Sequence, residues 1–128
     1  DATVWIFFIY VFLRFSINTI AFDLRDVKGD AKIGNKTIPV IFGKAKTVSF
    51  LHLLNLFSTF FLVTSVIFGF LPVIALSLVL SGIYAAVFLT KFNDKKIDIH
   101  FLCDVVIDGE FVMWIIFIII GWAALILI

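Results

Sequence analysis

Four long apolar stretches constrain this chain more than any other feature of its sequence. They cover residues of about 4–22, 48–68, 73–92 and 111–128, and each, as a helix, is long enough to cross a hydrocarbon core of about 30 Å. The mean hydropathy is +1.22 and only 15% of residues are charged, which is too little charge for a water-soluble surface. The sequence therefore predicts an all-α, multi-spanning transmembrane helix bundle that forms a single domain over residues 1–128.

The overall charge and the cysteine content exclude several kinds of partner. A net charge of +1 gives no general attraction to nucleic acid, so we expect the lipid bilayer and no nucleic acid as a partner. The single cysteine, Cys103, cannot form an internal disulfide. Neither Cys103 nor the two histidines lie at the spacing of a Cys/His metal site.

The basic residues predict how the chain is oriented in the membrane. The connection between the second and third apolar stretches has none, whereas the other two connections carry nine: Arg25, Lys28, Lys32, Lys36, Lys44, Lys46, Lys91, Lys95 and Lys96. Cytoplasmic loops of membrane proteins carry an excess of Lys and Arg. We therefore expect both charged connections on the cytoplasmic side, with residues 23–46 forming a cap loop there.

The first charged connection opens with the densest polar stretch of the chain. Within residues 23–32 lie three carboxylates and three cations: Asp23, Asp26, Asp30, Arg25, Lys28 and Lys32. At about 100° per residue the three aspartates share one helix face with Ser16 and Thr19, provided that the first helix continues through Gly29. Carboxylates that converge in this way repel one another unless a cation lies between them.

This stretch suggests a metal–diphosphate site. Mg²⁺ takes oxygen ligands and leaves coordination positions for substrate phosphates. Adjacent Lys and Arg side chains would neutralise the remaining oxygens, so that diphosphate becomes a better leaving group. From spacing alone, however, a solvated loop that only sets the topology explains the same charges equally well.

A family resemblance favours the metal site. The pattern D-x-x-D-x-x-x-D over 23–30, followed by Gly-Asn-Lys-Thr-Ile-Pro-Val over 34–40 and by Gly43, resembles the second aspartate-rich motif of the UbiA-type intramembrane prenyltransferases. The resemblance implies a nine-helix bundle of which this chain supplies four helices. It also implies that Asp23, Asp26 and Asp30 bind Mg²⁺, with Arg25, Lys32 and Lys36 as weaker candidates for contacts to the diphosphate or within the cap.

The implied reaction is transfer of a prenyl group from a prenyl diphosphate to a hydrophobic acceptor. The acceptor differs among members of the family and is a quinone ring, a chlorin, a haem or a glyceryl lipid. The chain lacks the first aspartate-rich motif of the family, N/D-x-x-x-D-x-x-x-D. We therefore expect a C-terminal portion of a longer enzyme, inactive without the missing N-terminal half.

Two other readings and one unusual residue remain. A transporter or channel fragment with an acidic ion path would need charges deep in several helices, and a CDP-alcohol phosphotransferase would need D-G-x-x-A-R, which is absent. Arg14 alone lies about two turns inside an apolar stretch. We expect it to snorkel to the cytoplasmic side or to pair with an acidic residue of the missing half, and we expect Asp104 to be solvated or to contact the cap.

Overall fold

The computed structural model describes residues 1–128 and contains helices but no strand, which confirms the all-α class. Six α-helices follow one another along the chain: α1 (Ala2–Lys32), α2 (Ile38–Phe42), α3 (Lys44–Ile67), α4 (Val79–Lys91), α5 (Ile99–Phe101) and α6 (Glu110–Leu127). A 3₁₀ segment, Val73–Leu78, leads into α4. A π-helical segment, Leu102–Ile107, joins α5 to the turn before α6.

Four helical stretches are long and apolar enough to cross a membrane, as the sequence predicted. They are Ala2–Lys32, Lys44–Ile67, Val73–Lys91 and Ile99–Leu127. Only 27 of the 128 residues are buried within the chain, and many large apolar side chains face outward. A bilayer, or further helices, can cover such a surface without the cost that water would impose.

Helix α1 is longer than the membrane span at its start. Its 31 residues extend about 46 Å at 1.5 Å per residue, against about 30 Å of hydrocarbon. The part of α1 beyond Phe22 therefore extends out of the hydrocarbon core of the membrane as a continuous helix. Residues 23–32 differ here from the predicted cap loop, because Leu24 is buried on the core side and holds this turn of helix against its neighbours.

The connection that remains, residues 33–43, is short and folded. Gly34, with φ +77°, ends α1 in the turn that the sequence predicted, and the Asn35 amide donates to the Asp30 carbonyl at 2.8 Å. Pro39 lies in the first turn of α2, and Gly43, with φ +84°, ends this helix. Helix α2 then packs against both α1 and α3.

Two apolar clusters, at different positions along the length of α1, hold the bundle together. The larger joins α1, α3, α4 and the π-helical segment, with Ile17, Leu51, Phe88 and Cys103 among its members. The smaller gathers Tyr10, Leu62, Leu71 and Leu78 around the connection between α3 and α4. Between Tyr10 and Ile17 on α1 lies Arg14, so a polar layer separates the two clusters.

Candidate functional site

Three aspartates line one face of the projecting end of α1. Because α1 is continuous through Gly29, Asp23, Asp26 and Asp30 lie within about 60° of one another around the helix axis. Asp23 and Asp30 are half-buried and Asp26 is exposed. The helical phase that the sequence predicted for these residues therefore holds in the structure.

Arg25 joins this end of α1 to the last membrane span. Its guanidinium donates to both carboxylate oxygens of Asp26, with Nε to Oδ1 at 2.9 Å and Nη2 to Oδ2 at 3.0 Å. Nη1 donates to Asp104 of the π-helical segment. The guanidinium carbon also lies 5.1 Å from the ring centroid of Phe22. Arg25 is thus held by protein partners, and Asp104 contacts the charged end of α1 as expected.

The remaining charged candidates are more open to a ligand. Among them, Asp30 accepts a hydrogen bond at Oδ1 from Asn35 Nδ2, at 3.1 Å. Lys32 and Lys36 are exposed, and neither belongs to the three ion pairs of the protein. Both ammonium groups are therefore free of protein counter-charges.

The electrostatics of the aspartates differ along the face. Burial, followed by the negative charges of Asp30 and Asp26, raises the pKa of the Asp23 carboxyl above its ordinary value. The hydrogen bonds from Arg25 lower the pKa of Asp26 instead. Of these two carboxyls, Asp23 is therefore the harder to ionise. No three acidic, histidine or cysteine side chains converge closely enough to hold a metal ion on their own.

An aromatic groove continues the aspartate face toward the other end of α1. It has a volume of about 560 Å³, and all of its lining residues belong to α1: Phe8, Val11, Phe12, Phe15, Ser16, Thr19 and Ile20. Phe8, Phe12 and Thr19 lie within about 60° of Asp23 around the helix axis. The face therefore changes from carboxylates, through two hydroxyls, to aromatic rings.

The sequence profile of the UbiA prenyltransferase family matches residues 1–116. The chain belongs to the UbiA prenyltransferase family. No curated protein and no solved structure matches the chain.

In this UbiA-family chain, the expectation for Arg14 was wrong. Arg14 neither snorkels nor waits for an acidic residue elsewhere, because it is completely buried and forms an ion pair with Glu110 at the start of α6. Arg14 Nε donates to Glu110 Oε1 at 2.8 Å. Glu110 is the only glutamate of the chain. Its position at the head of an apolar stretch was the available signal, since intramembrane charges usually pair with one another.

Polar side chains of α3, α4 and α6 complete this buried layer. Arg14 Nη1 donates to Asn55 and, at 3.1 Å, to Ser58 Oγ on α3. Ser81 of α4 donates its hydroxyl to Glu110 and accepts from Trp114 Nε1 at 3.0 Å. Arg14 lies about 13 Å along α1 from Asp23, so the layer is deep in the membrane span and separate from the aspartate face.

Proposed function

We propose that this UbiA-family chain forms one half of the active site of a membrane enzyme that transfers a prenyl group from a prenyl diphosphate to a hydrophobic acceptor. The observation that carries the proposal is the continuous face of α1, on which Asp23, Asp26 and Asp30 adjoin an aromatic groove. A prenyl diphosphate has the same division, with a polyanionic head and a long apolar chain. The polar end of the face therefore corresponds to the head of the substrate, and the aromatic end corresponds to its apolar chain.

Mg²⁺ fits the head of this face by its donor set. Asp23, Asp26 and Asp30 offer carboxylate oxygens, the ligands that Mg²⁺ prefers, and Mg²⁺ is usually held by one or two carboxylates together with substrate phosphates. Burial, followed by the negative charges of Asp30 and Asp26, raises the pKa of Asp23, and a bound cation would relieve the repulsion among these carboxylates. When bound, Mg²⁺ would neutralise negative charge on the diphosphate as that group departs.

Other side chains at this end of α1, and the aromatic side chains of the groove, would bind and orient the substrate. Lys32 and Lys36 supply free ammonium groups for phosphate oxygens, as compact point charges. Arg25, fixed between Asp26 and Asp104, keeps the Asp26 carboxylate turned to one side. Phe8, Phe12 and Phe15 hold the apolar chain away from water, and ring faces can stabilise an allylic cation.

The other wall of the site lies outside α1. Since the groove is lined by one helix alone, we propose that helices of a longer enzyme close it and bring a second group of metal ligands. This chain would then be the C-terminal portion of a nine-helix enzyme, inactive alone, with its charged end in the cytoplasm. The deep charges give no support to an ion path, because Arg14 and Glu110 are fully buried and paired.

The proposal is tested on the full-length protein that contains this chain, purified in lipid nanodiscs. Release of diphosphate from a prenyl diphosphate is measured with Mg²⁺ and with EDTA, against a panel of quinone-ring, chlorin, haem and glyceryl acceptors. We expect turnover only with Mg²⁺. Asp26→Ala and Asp30→Ala should each lower kcat/KM by about 10²-fold or more, the loss typical when one charge-stabilising group is removed.

Asp94→Ala is the matched control, because Asp94 is an exposed aspartate in the other charged connection and its side chain contacts only the nearby Lys96 amide among the hydrogen bonds of the protein. This variant should retain nearly full turnover. If Asp26→Ala or Asp30→Ala keeps full metal-dependent turnover, the assignment of the site is wrong. Metal-independent turnover would contradict the role of Mg²⁺.

A further inference from the structure

A second amphipathic cavity lies between α4 and the start of the last span. It has a volume of about 420 Å³, within the range of about 300–1,000 Å³ typical of ligand clefts. Apolar side chains form most of its wall, among them Tyr84, Phe88, Phe101, Leu102 and Val106. Two lysines, Lys91 and Lys96, lie at its polar edge.

A smaller polar cavity adjoins the first one. Its volume is about 160 Å³, and Lys91, Ile97 and Leu102 line both cavities. Lys44 and Lys95 add two further cations. Together the two cavities carry four lysines and two aspartates, Asp94 and Asp98, so four positive charges minus two negative charges leave a net +2.

The lysines of this pair of cavities have no protein partner for their charge. All three ion pairs of the protein are formed by Arg14 and Arg25. The two aspartates instead accept backbone hydrogen bonds, Asp94 from the Lys96 amide at 2.9 Å and Asp98 from the His100 amide at 3.1 Å. The excess positive charge therefore faces outward, toward whatever binds there.

The apolar wall is fixed in shape by contacts between its two sides. The Tyr84 hydroxyl of α4 donates to the Val106 carbonyl, which belongs to the π-helical segment. Tyr84 and Phe88 stack edge to face, with ring centroids 5.7 Å apart. The groove is thus a formed feature of the fold, with Lys91 marking the end of α4 and so the edge of the membrane span.

We propose that these joined cavities bind an anionic phospholipid of the surrounding bilayer. The phosphate head would lie among Lys44, Lys91, Lys95 and Lys96, and one acyl chain would lie along the groove beside Phe88 and Val106. Clustered lysines at the end of a membrane helix attract anionic head groups, and an apolar groove directly below them is what distinguishes a lipid from a free phosphate. This inference does not rest on the proposed prenyl transfer.

The test uses the full-length protein in a mild detergent, titrated with phosphatidylglycerol or with phosphatidylcholine of the same acyl chains. Native mass spectrometry counts the bound lipid. We expect tighter binding of phosphatidylglycerol, and about tenfold weaker binding of that lipid by the Lys91→Gln, Lys96→Gln double variant. The matched control, Lys28→Gln with Lys46→Gln, removes two exposed lysines that lie outside both cavities and should bind phosphatidylglycerol as the wild type does.

A second variant tests the groove without changing any charge. Val87→Trp places a large ring in the groove wall, so it should weaken binding of long-chain phosphatidylglycerol while all four lysines remain. Glycerol phosphate should compete poorly, since it lacks an acyl chain. Any one of three results would overturn the proposal. These are equal binding of the two lipids, unchanged phosphatidylglycerol binding by both the Lys91→Gln, Lys96→Gln variant and Val87→Trp, and full competition by glycerol phosphate.

Discussion

Arg14 is the single residue on which the centre of the bundle depends most. Its side chain is completely buried, and its donors go to Glu110, Asn55, Ser58 and the Ser81 carbonyl. A charge at this depth is tolerated only when protein groups replace its hydration. The layer thus connects α1 to α3, α4 and α6 through one guanidinium.

Breaking this pair from either side should destabilise the protein strongly. Glu110→Gln leaves the buried Arg14 charge without a counter-charge, so we expect a loss of about 3–5 kcal/mol in the free energy of unfolding. Arg14→Met combined with Glu110→Met should cost less than the sum of the two single changes, by more than about 1 kcal/mol. Denaturant titration in detergent of Glu110→Gln, of the two single methionine variants and of the double methionine variant measures these losses.

Lys28→Met is the control for these variants, because Lys28 is exposed and belongs to no ion pair. Its effect should stay within about 0.5 kcal/mol. Additive effects of the Arg14 and Glu110 substitutions would show that the two side chains are not energetically coupled.

Asp23 should make stability depend on pH in an unusual direction for a carboxylate. Its folded-state pKa is raised, so ionisation of Asp23 weakens the folded state at neutral pH, and this penalty disappears as the pH falls through that pKa. Asp23→Asn in EDTA should therefore gain up to about 0.5 kcal/mol at pH 7. The gain should shrink as the pH approaches about 4, the ordinary value for aspartate.

Unfolding curves recorded at several pH values give this difference directly. Asp94→Asn removes the same charge from an exposed position in the other charged connection and provides the comparison. A gain for Asp23→Asn that is constant across the pH range would contradict the raised pKa of Asp23.

At the scale of the helices, α3 and α4 meet at a point where no side chain fits. A Cβ atom on Gly82 would lie 2.3 Å from Thr59 Oγ1 and 3.3 Å from Thr59 Cβ. Thr59 cannot easily turn away, since its hydroxyl donates to the Asn55 carbonyl at 2.9 Å. The Gly82 carbonyl also accepts from Asn55 Nδ2 at 2.9 Å, which ties this close approach to the polar layer.

Alanine substitutions at two helical glycines should have opposite effects. Gly82→Ala should lower the free energy of unfolding by about 1–3 kcal/mol, because it overpacks the α3–α4 contact. Gly29→Ala should raise it by about 0.4–1 kcal/mol, because nothing lies within 4 Å of the added Cβ and alanine restricts the unfolded chain. Thermal unfolding of the two variants side by side is the measurement, and a stabilising Gly82→Ala would contradict the packing.

The π-helical segment has a role at the same scale. A shifted hydrogen-bond ladder frees carbonyl groups of a helix for other donors. Here the Ile107 carbonyl accepts from Asn18 Nδ2 of α1 at 3.4 Å, and the Val106 carbonyl accepts from Tyr84 of α4. The segment thus joins the last span to two neighbouring helices through its backbone.

At the scale of the whole molecule, the predicted orientation can be tested by labelling. Lys28→Cys and Asn93→Cys place exposed thiols in the two charged connections, and Phe70→Cys places one between α3 and α4. With a membrane-impermeant maleimide, the first two should react only from the cytoplasmic side and the third only from the opposite side. The native Cys103 is buried and should stay unlabelled. Labelling of all three from one side would contradict the orientation.

Much of this architecture follows from local properties of the chain. The thickness of the hydrocarbon core fixes the length of a spanning helix, so the four apolar stretches were readable directly. The period of 3.6 residues fixed the shared face of Asp23, Asp26 and Asp30 once α1 was continuous. The extent of α1 beyond Phe22 was harder to predict from the sequence, because burial of Leu24 against other helices supports that turn.

The sequence by itself determined the four membrane spans, the family and the aspartate face, because each depends on residues that are close together along the chain. Only the tertiary structure decided that Glu110 is the partner of Arg14, 96 residues away, and that Asp104 contacts Arg25, 79 residues away. Which charges meet across such distances depends on how the helices pack, and packing is set by the whole bundle rather than by any single segment.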